Sequence, residues 1–386
     1  MAAPFRLLVV SHAADGTGAP ISTLALCRAW ADRGDVELKI LLRRDGPLRP
    51  EFEAIAETFV FRAKPKFGLV DSFGMMAGGK PLLALKGLRN PDRPYILSSI
   101  EKKHSDGIRW AINEFDPQAV YVSTTHCGDA LEPMNLFAPI LTHVREMEGV
   151  IASLDKERRE SALRRSSAFA AVSEPVQQTL IDSWGVPAAK IQIEAPAIEV
   201  QSLEKRADEA AEISLPDAPY IVGIGSLIER KGPDIFLEVA ARAARINLSY
   251  KFIWMGDGPM AFLLQEAAEK MGLTNLTWAG QVKNPYPILK QAKALALTSR
   301  EDPHPRTMIE AAALGVPTIA FKGAGGADSF LTSNNAGQLV PMEDAGAMLT
   351  AIPDADSAFS TQSIKEKYDV KNSAARLLDR LKALAA

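Results

Sequence analysis

The strongest constraint on the fold is an alternation of short apolar strands and helices that runs through both halves of the chain. The first half opens with a strand over 7–11, a polar glycine-bearing loop, a helix over about 21–33 and a second strand over 36–42. The same order returns from 220–224 onward. Strands separated by helices pair in parallel, because the helix carries the chain back across the sheet. The pattern therefore predicts an α/β protein with a doubly wound parallel sheet in each half.

Length and charge limit the organisation of the chain and its partners. With 386 residues the chain exceeds one ordinary hydrophobic core, so we expect two domains, over 1–198 and 199–362. The polar, alanine- and glutamate-rich segment 199–219 marks the boundary between them. The 44 basic and 47 acidic residues nearly cancel, which predicts no nucleic-acid partner because no global positive field attracts a polyanion.

The cysteines and the apolar runs indicate a compartment. Two cysteines are too few for a disulfide framework and suit a reducing environment. No apolar run approaches the roughly 18 residues that a membrane-spanning helix needs. The apolar segment 6–11 is too short for the core of a signal peptide. We therefore expect a cytoplasmic protein.

The first loop contains Gly16 and Gly18 directly before a predicted helix. Such loops bring backbone N–H groups and a helix N-terminus onto a phosphate. The dinucleotide-binding fingerprint is incomplete, because Ile21 stands where its third glycine would be. Arg43 and Arg44, at the end of the second strand, permit an alternative NADP-binding interpretation, and a plain tight turn is a further alternative.

The second half has a comparable entrance at Lys231, which is followed by a glycine, a proline and a predicted helix. A lysine next to a helix N-terminus opposes the helix dipole. Its position makes physical sense if an anion occupies the space between the lysine and the helix. The alternative is a solvent-exposed lysine in a turn.

The stretch 299–318 is the densest group of ionisable residues, with two prolines before a helix of small residues. Its carboxylates are those of Glu301, Asp302 and Glu310. Thr307 and Glu310 have the spacing of a capping box, in which the glutamate bonds to the start of its own helix. Pro305 suits the first helical turn, so an earlier helix start would free Glu310 to face a ligand. We favour the ligand-facing interpretation and predict a ligand-binding site here.

Residues 64–97 are basic and apolar by turns, with lysines and arginines interleaved with phenylalanine, methionine and leucine. Such a segment suits peripheral contact with an anionic membrane surface or a lipid-linked acceptor. A long loop with a helix that caps the first domain is an equal alternative.

In their order and spacing these pieces resemble a GT-B glycosyltransferase of glycosyltransferase family 4, the retaining type. The motifs that carry the resemblance are Asp15-Gly-Thr-Gly-Ala-Pro, Gly225-Ser with Lys231-Gly232, Gly256-Asp-Gly258, Gly280-Gln-Val282, and the pair Asp302 and Glu310 followed by Ala-Leu-Gly-Val-Pro. The resemblance implies two Rossmann-like domains facing a central cleft, with a last helix, 363–386, that packs back on the first domain.

The resemblance also implies roles for individual residues. Lys231 would neutralise the donor diphosphate, Glu310 would bind the ribose hydroxyls, and Val282 would meet the base through backbone groups. Asp302 and the backbone amides of 304–307 would hold the transferred sugar. The residues implied for donor binding are Gly16, Gly18, Ser226, Arg230, Lys231, Gly256, Gly258, Val282, His304, Arg306, Thr307 and Glu310. The residues implied for catalysis are Asp302, Glu310, Lys231, Glu146 and Arg145.

Three positions depart from the family pattern. Ser226 replaces a phosphate-binding arginine, for which Arg230 or Arg306 could substitute because a guanidinium reaches a phosphate from several directions. Asp302 replaces the first glutamate of the paired motif, and the neighbouring Glu301 leaves the register open by one residue. A third departure is Arg145, which stands before Glu146 where many members have histidine. His143 or Glu146 therefore becomes the alternative acid–base candidate.

By this resemblance the chain is a retaining, metal-independent glycosyltransferase that uses a UDP- or GDP-linked sugar and no further cofactor. Its acceptor would be a hydroxyl of a glycan or glycolipid, in polysaccharide or lipopolysaccharide biosynthesis at the cytoplasmic face of the inner membrane. The rival interpretations are a non-catalytic GT-B binding module and an NADP-dependent oxidoreductase.

Overall fold

The computed structural model describes residues 3–62, 105–134, 137–355 and 358–386. The basic and apolar segment 64–97 lies outside the described residues, so its predicted membrane or acceptor contact stays a prediction.

The first domain is built on a seven-stranded sheet whose order is β3-β2-β1-β4-β5-β6-β7, with every pair parallel. Its strands are β1 (Phe5–Ser11), β2 (Val36–Arg44), β3 (Glu57–Arg62), β4 (Ala119–Val122), β5 (Ile140–Val144), β6 (Ala168–Ala171) and β7 (Ile191–Ile193). The strand order reverses between β1 and β4. Ligands of open α/β sheets bind at such a switch point, outside the carboxyl ends of the strands.

Helices cover both faces of this sheet, which explains why its central strands are continuous apolar runs. The helices are α1 (Gly18–Ala31), α2 (Arg49–Glu53), α3 over 105–115, α4 (Gly128–Met134), α5 (Glu148–Ser153), α6 (Lys156–Arg165) and α7 (Glu174–Asp182). Leu7, Leu8, Val9 and Val10 of β1 are all fully buried. A parallel sheet buried on two faces requires this continuity, whereas a half-exposed strand would alternate apolar and polar residues.

The second domain repeats the design with a six-stranded parallel sheet in the order β10-β9-β8-β11-β12-β13. Its strands are β8 (Tyr220–Ile224), β9 (Lys251–Met255), β10 (Leu276–Trp278), β11 (Ala294–Leu297), β12 (Thr318–Phe321) and β13 (Gly337–Val340). Its helices are α8 (Val200–Ala207), α9 (Pro233–Arg245), α10 (Ala261–Lys270), α11 (Tyr286–Lys290), α12 (Arg306–Ala313), α13 (Ala327–Asn334), α14 (Ala345–Ala351) and α15 (Thr361–Tyr368). The predicted fold of two facing Rossmann-like domains is confirmed.

The chain crosses between the domains at two places that bond to each other. Ile198, on the way out of the first domain, donates its N–H to the carbonyl of Tyr368 at 2.9 Å. Val370 donates its N–H to the carbonyl of Ile198 at 2.9 Å, so the return crossing lies directly beside the outward one. The final helix α16 (Val370–Ala385) then packs on the first domain through Leu377 and Leu381, which are fully buried.

The prediction of one continuous last helix is wrong, because the segment breaks at Asp369. The Asp369 carboxylate accepts the backbone N–H of Lys371 at 2.8 Å and so caps α16, while α15 ends before it. Ile364 and Tyr368 of α15 belong to the core of the second domain. Within the described ranges, no helix is both long and apolar enough to span a membrane.

Candidate functional site

A cleft of about 840 Å³ lies between the two domains, at the carboxyl ends of both sheets. One wall is formed by the loop before α1 and by residues after β5, and the other by the loops after β8, β9, β10 and β11. The predicted site residues on its lining are Gly16, Gly18, Arg145, Glu146, Ser226, Arg230, Lys231, Gly256, Val282, Asp302, His304, Arg306, Thr307 and Glu310. The topology thus brings together positions that are far apart in the sequence.

Lys231 is held at the cleft by a glycine that no other residue could easily replace. Gly232 follows it with a φ of 61°, and a Cβ there would lie 2.0 Å from the carbonyl oxygen of Thr298. The Thr298 hydroxyl donates to the carbonyl of Lys231 at 3.1 Å, so the turn Glu229–Lys231 is held against the end of β11. The Lys231 ammonium forms an ion pair with the Asp302 carboxylate. The predicted phosphate-binding cation and sugar-binding carboxylate therefore neutralise each other in this structure.

Asp302 is fixed through its backbone by the glycine loop after β12. Its N–H bonds to the carbonyl of Ala324 at 2.7 Å, and its carbonyl accepts the N–H of Gly326 at 3.1 Å. Gly325 has a φ of 140°, and a Cβ there would lie 1.9 Å from the Asp302 carbonyl oxygen. The close approach of these two backbones requires glycine. Of the two carboxylates that left the register open, Asp302 is therefore the one directed at Lys231.

Glu310 lines the cleft, and two hydrogen bonds to one of its carboxylate oxygens hold it in place. The Tyr286 hydroxyl donates to its Oε1 at 3.0 Å, and the Arg306 Nε donates to Oε1 at 2.8 Å. The helix α12 begins at Arg306 after Pro305, which places Thr307 inside the helix. The capping-box alternative is therefore wrong, because Thr307 is not the N-cap and the glutamate bonds elsewhere. Burial and the nearby Glu310 charge raise the pKa of Tyr286 to about 12.

A stacked pair closes the end of the cleft near Val282. The Arg206 guanidinium lies over the Tyr286 ring, 4.7 Å from its centroid, and donates to the carbonyl of Lys283 at 2.9 Å. Arg206 comes from α8, which packs against α11 at the start of the second domain. The flat guanidinium and ring beside the backbone of 281–283 form a surface suited to a planar group.

The loop before α12 also contacts the first domain. The Ser173 hydroxyl donates to the carbonyl of Pro303 of this loop at 2.7 Å. A second bond between the domains comes from α13, where the Ser329 hydroxyl donates to the Glu174 carboxylate at 2.7 Å. Burial lowers the pKa of His304 to about 4, so its imidazole is neutral near pH 7. A neutral His304 can accept or donate a hydrogen bond but adds no charge to the cleft.

Two glycines of the second domain differ in their placement. Gly256 lines the cleft with a φ of 135°, and a Cβ there would lie 2.0 Å from the carbonyl oxygen of Gly225. Gly258 does not line it: a Cβ there would lie 2.7 Å from the carbonyl oxygen of Leu227. Gly258 thus supports the loop that carries Ser226 from behind.

The wall of the first domain is more open at its glycine loop. Helix α1 begins at Gly18, earlier than the predicted start near Ile21, so its N-terminus reaches the cleft. A Cβ at Gly16 or Gly18 would meet no atom within 4 Å. These glycines therefore leave space beside the helix N-terminus.

Glu146 and Arg145 lie on the same wall with different anchors. The Glu146 carboxylate accepts the backbone N–H of Arg145 at 2.9 Å and lies 3.2 Å from His126 Nδ1. His143, the alternative acid–base candidate, is buried, and its Nε2 donates to the carbonyl of Glu194 at 2.9 Å. It does not line the cleft, so the suggestion that it acts as acid or base there is wrong.

The NADP-binding alternative loses one of its arginines. Arg43 is buried, and its guanidinium forms a bidentate ion pair with Asp129 of α4, with bonds of 2.6 and 2.8 Å. Its charge therefore ties β2 to α4 instead of meeting a ribose phosphate.

Sequence reasoning missed three residues that bear on the site: His126, Arg206 and Tyr286. His126 lies in the short turn Thr125–Cys127 soon after β4, and this position beyond a strand's carboxyl end was a signal that could have found it. Tyr286 begins a helix between two prolines, and prolines also precede the helix of the 299–318 stretch. Arg206 gave no local signal. In the described ranges, no group of three or more histidine, cysteine, aspartate or glutamate side chains could hold a metal ion.

The second domain is similar to known families and proteins. Residues 205–355 match the family model described as glycosyl transferases group 1. An uncharacterised glycosyltransferase of Methanocaldococcus jannaschii is 29% identical over 136 residues, which are 34% of each chain. The lipopolysaccharide core biosynthesis glycosyltransferase LpsE of Rhizobium meliloti is 26% identical over 166 residues, 42% of this chain and 47% of LpsE. The chain thus spans less than half the length of either relative.

Comparison with solved structures extends over both domains. HepE of Anabaena, solved in complex with UDP and glucose, superposes with a TM-score of 0.73 and 16% identity, covering 97% of this chain and 99% of HepE. The superposition establishes a common fold, and an identity of 16% supports no conclusion beyond the fold. Residues 205–355 therefore match the glycosyl transferases group 1, in a chain that has the two-domain GT-B fold of known glycosyltransferases.

Proposed function

We propose that the chain is a retaining glycosyltransferase of family 4 that transfers a sugar from a UDP-linked donor to a hydroxyl of a glycan or lipid-linked acceptor. The observation that carries the proposal is that one wall of an interdomain cleft carries the cations Arg230, Lys231 and Arg306 together with the carboxylates of Asp302 and Glu310. The family-model match to the second domain supports the reaction class.

The cationic groups suit the leaving group of this reaction. A departing nucleoside diphosphate gains negative charge, which fixed cations and aimed N–H groups stabilise without reorganisation. Lys231 can meet this charge once the donor displaces Asp302 from it. Arg230 lies beside it, and its guanidinium donates to the carbonyl of Glu301 at 2.7 Å. A backbone carbonyl does not neutralise a guanidinium, so this charge can also serve the diphosphate.

The other end of the cleft suits a nucleoside. Glu310 can accept hydrogen bonds from ribose hydroxyls, and the surface formed by Arg206, Tyr286 and the backbone near Val282 can take a base. HepE was solved with UDP, which supports uracil over guanine for this chain. LpsE acts in lipopolysaccharide core biosynthesis by its name, which supports a cell-surface glycan as the product.

Binding and turnover separate this proposal from its rivals. We expect UDP to raise the melting temperature of the protein more than GDP or NADPH does, and UDP-sugars to yield free UDP when an acceptor is present. A preference for NADPH would favour an oxidoreductase. Binding of UDP without turnover of any UDP-sugar, across a panel of glycan acceptors, would favour a non-catalytic module.

Two finer parts of the proposal have their own measurements. Retention predicts that the product's new glycosidic bond has the anomeric configuration of the donor, which proton NMR of the product reads directly. Metal independence predicts unchanged UDP release after treatment with EDTA. An inverted anomer or loss of turnover in EDTA would refute the corresponding part.

A further inference from the structure

The cleft contains cations whose charges are compensated to different degrees. The lysines and arginines that line it, among the described residues, are Arg145, Arg206, Arg230, Lys231, Lys283 and Arg306. Lys231 pairs with Asp302, and Arg306 pairs with Glu310. Arg145 alone of this set belongs to the wall of the first domain, opposite the proposed diphosphate site.

The Arg145 guanidinium is held in place by neutral groups. Its Nε donates to the carbonyl of Ser123 at 3.2 Å. Its Nη2 lies 3.4 Å from the Tyr121 hydroxyl and 3.2 Å from His143 Nδ1. Three contacts of this kind fix the orientation of the guanidinium without neutralising it.

His143 is neutral because of its own surroundings. Its Nε2 faces the carbonyl of Glu194 at 2.9 Å, which requires a proton on Nε2 and leaves Nδ1 as an acceptor. Tyr121 donates to that Nδ1 at 2.8 Å. Burial and the charge of Arg145 hold the pKa of His143 well below its usual value. The neutral ring therefore orients the Arg145 guanidinium and does not balance its charge.

The carboxylate of Glu146, adjacent in the sequence, does not balance this charge, because its oxygens have other contacts. One oxygen accepts the backbone N–H of Arg145, and the other lies 3.2 Å from His126 Nδ1. In the part of the chain that the structure describes, no carboxylate forms an ion pair with the Arg145 guanidinium. A partly buried, oriented guanidinium without a counterion is a favourable site for an incoming anion.

We propose that Arg145 binds an anionic group, a carboxylate or a phosphate, carried by the sugar end of the substrates. This inference rests on the proposed function, in which the diphosphate occupies the opposite wall near Lys231 and Arg230. The anion has two sources: an acidic donor sugar such as a uronic acid, or an acidic acceptor. In either case Arg145 sets specificity, since a neutral sugar would leave its charge unmatched.

The donor source is tested by calorimetric titration of UDP, UDP-glucose and UDP-glucuronate. The proteins are the wild type, Arg145→Gln and Arg145→Lys. An oriented charge-assisted pair predicts that the wild type binds UDP-glucuronate about 10- to 100-fold more tightly than UDP-glucose. Arg145→Gln should abolish this preference and Arg145→Lys should keep part of it, while UDP binds all three alike. Arg33→Gln, an exposed arginine paired with Asp35, is the matched control and should behave as the wild type.

The acceptor source is tested on the protein saturated with UDP. Glucuronate and glycerol 3-phosphate serve as acidic probes, with glucose and glycerol as neutral counterparts. An acidic acceptor predicts binding of an acidic probe to the wild type, at least tenfold weaker binding to Arg145→Gln, and partial recovery in Arg145→Lys. Because the arms use different probes, they separate the two sources.

Equal affinities of the wild type and Arg145→Gln for every acidic ligand in both arms would overturn the inference. If UDP still binds in that case, the proposed function stands without it. Failure of the wild type to bind UDP at all would overturn the proposed function and this inference together. An Arg145→Gln variant that does not fold is recognised by its lost UDP binding, and Arg145→Lys then decides through its preference between UDP-glucuronate and UDP-glucose.

Discussion

The hydroxyl of Tyr286 should strengthen nucleotide binding without contacting the nucleotide's phosphates. It donates to Glu310 Oε1 at 3.0 Å, and Arg306 donates to the same oxygen at 2.8 Å. Both bonds therefore direct the second carboxylate oxygen, Oε2, which we propose binds ribose. Replacing Tyr286 by phenylalanine removes one of two orienting bonds and keeps the ring beneath Arg206.

The magnitude follows from the kind of bond that is lost. A hydrogen bond to a charged group contributes about 1.5–3 kcal/mol, and the retained Arg306 bond argues for the lower end. A loss of about 1.4 kcal/mol corresponds to a tenfold larger dissociation constant for UDP. Calorimetric titration measures it directly. Tyr220→Phe is the control, because it also removes a buried tyrosine bond, to the carbonyl of Ile288, away from the cleft lining.

A nucleotide without ribose hydroxyls separates orientation of Glu310 from general damage. For 2′,3′-dideoxy-UDP, Tyr286→Phe should cost much less than for UDP, since the oriented carboxylate has no hydroxyl to bind. The double variant with Glu310→Gln should bind UDP no more weakly than Glu310→Gln alone, because the two residues act as one unit. An equal loss for UDP and dideoxy-UDP, or simple additivity, would refute this reasoning.

Three further predictions concern charge, backbone and domain contact. Lys231→Ala and Glu310→Gln should each lower turnover of the UDP-sugar by about 10²-fold or more, and near-full activity in both would remove the proposed mechanism. Gly325→Ala should lower both thermal stability and turnover, because its Cβ would lie 1.9 Å from the Asp302 carbonyl oxygen, and a wild-type melting curve would contradict this. Ser173→Ala, which removes the 2.7 Å bond to the Pro303 carbonyl, should raise KM for the donor and change the free energy of unfolding by no more than about 1 kcal/mol. An unchanged KM would count against a role of the first domain in holding the donor loop.

Much of the fold was predictable from the sequence, because the physics of a doubly covered parallel sheet is local and repetitive. Strands such as β1 and β8 are apolar runs bounded by glycine loops, and helices separate them. The break at Asp369 was not predictable in this way. Apolar residues continue on both sides of it at helical spacing, and only the paired crossings at Ile198 show that the two helices serve different domains.

In the candidate site, too, the sequence indicated the residues with local signals but not their tertiary partners. Lys231 and Glu310 were identified because each stands beside its own helix entrance, within a few residues of the glycine or proline that positions it. The partners of these groups were not identified, since they depend on tertiary contact. Tyr286 meets Glu310 across 24 residues and His126 meets Glu146 across 20, and no local pattern ties either pair together.

The ion pair of Lys231 and Asp302 would couple recognition of the donor's diphosphate to recognition of its sugar in the proposed reaction. Both side chains are largely buried, with 22% and 9% of their side-chain surface exposed, so neither charge is well served by water. A donor diphosphate can take over the lysine and leave the Asp302 carboxylate without its cation. That carboxylate then needs new donors, and the hydroxyls of the transferred sugar are the groups that the donor itself brings. Phosphate binding would thus prepare sugar recognition, because the same displaced carboxylate that loses Lys231 gains the sugar. The Glu301 carboxylate has no comparable link to the diphosphate site, because Glu301 bonds to Arg230 through its backbone carbonyl.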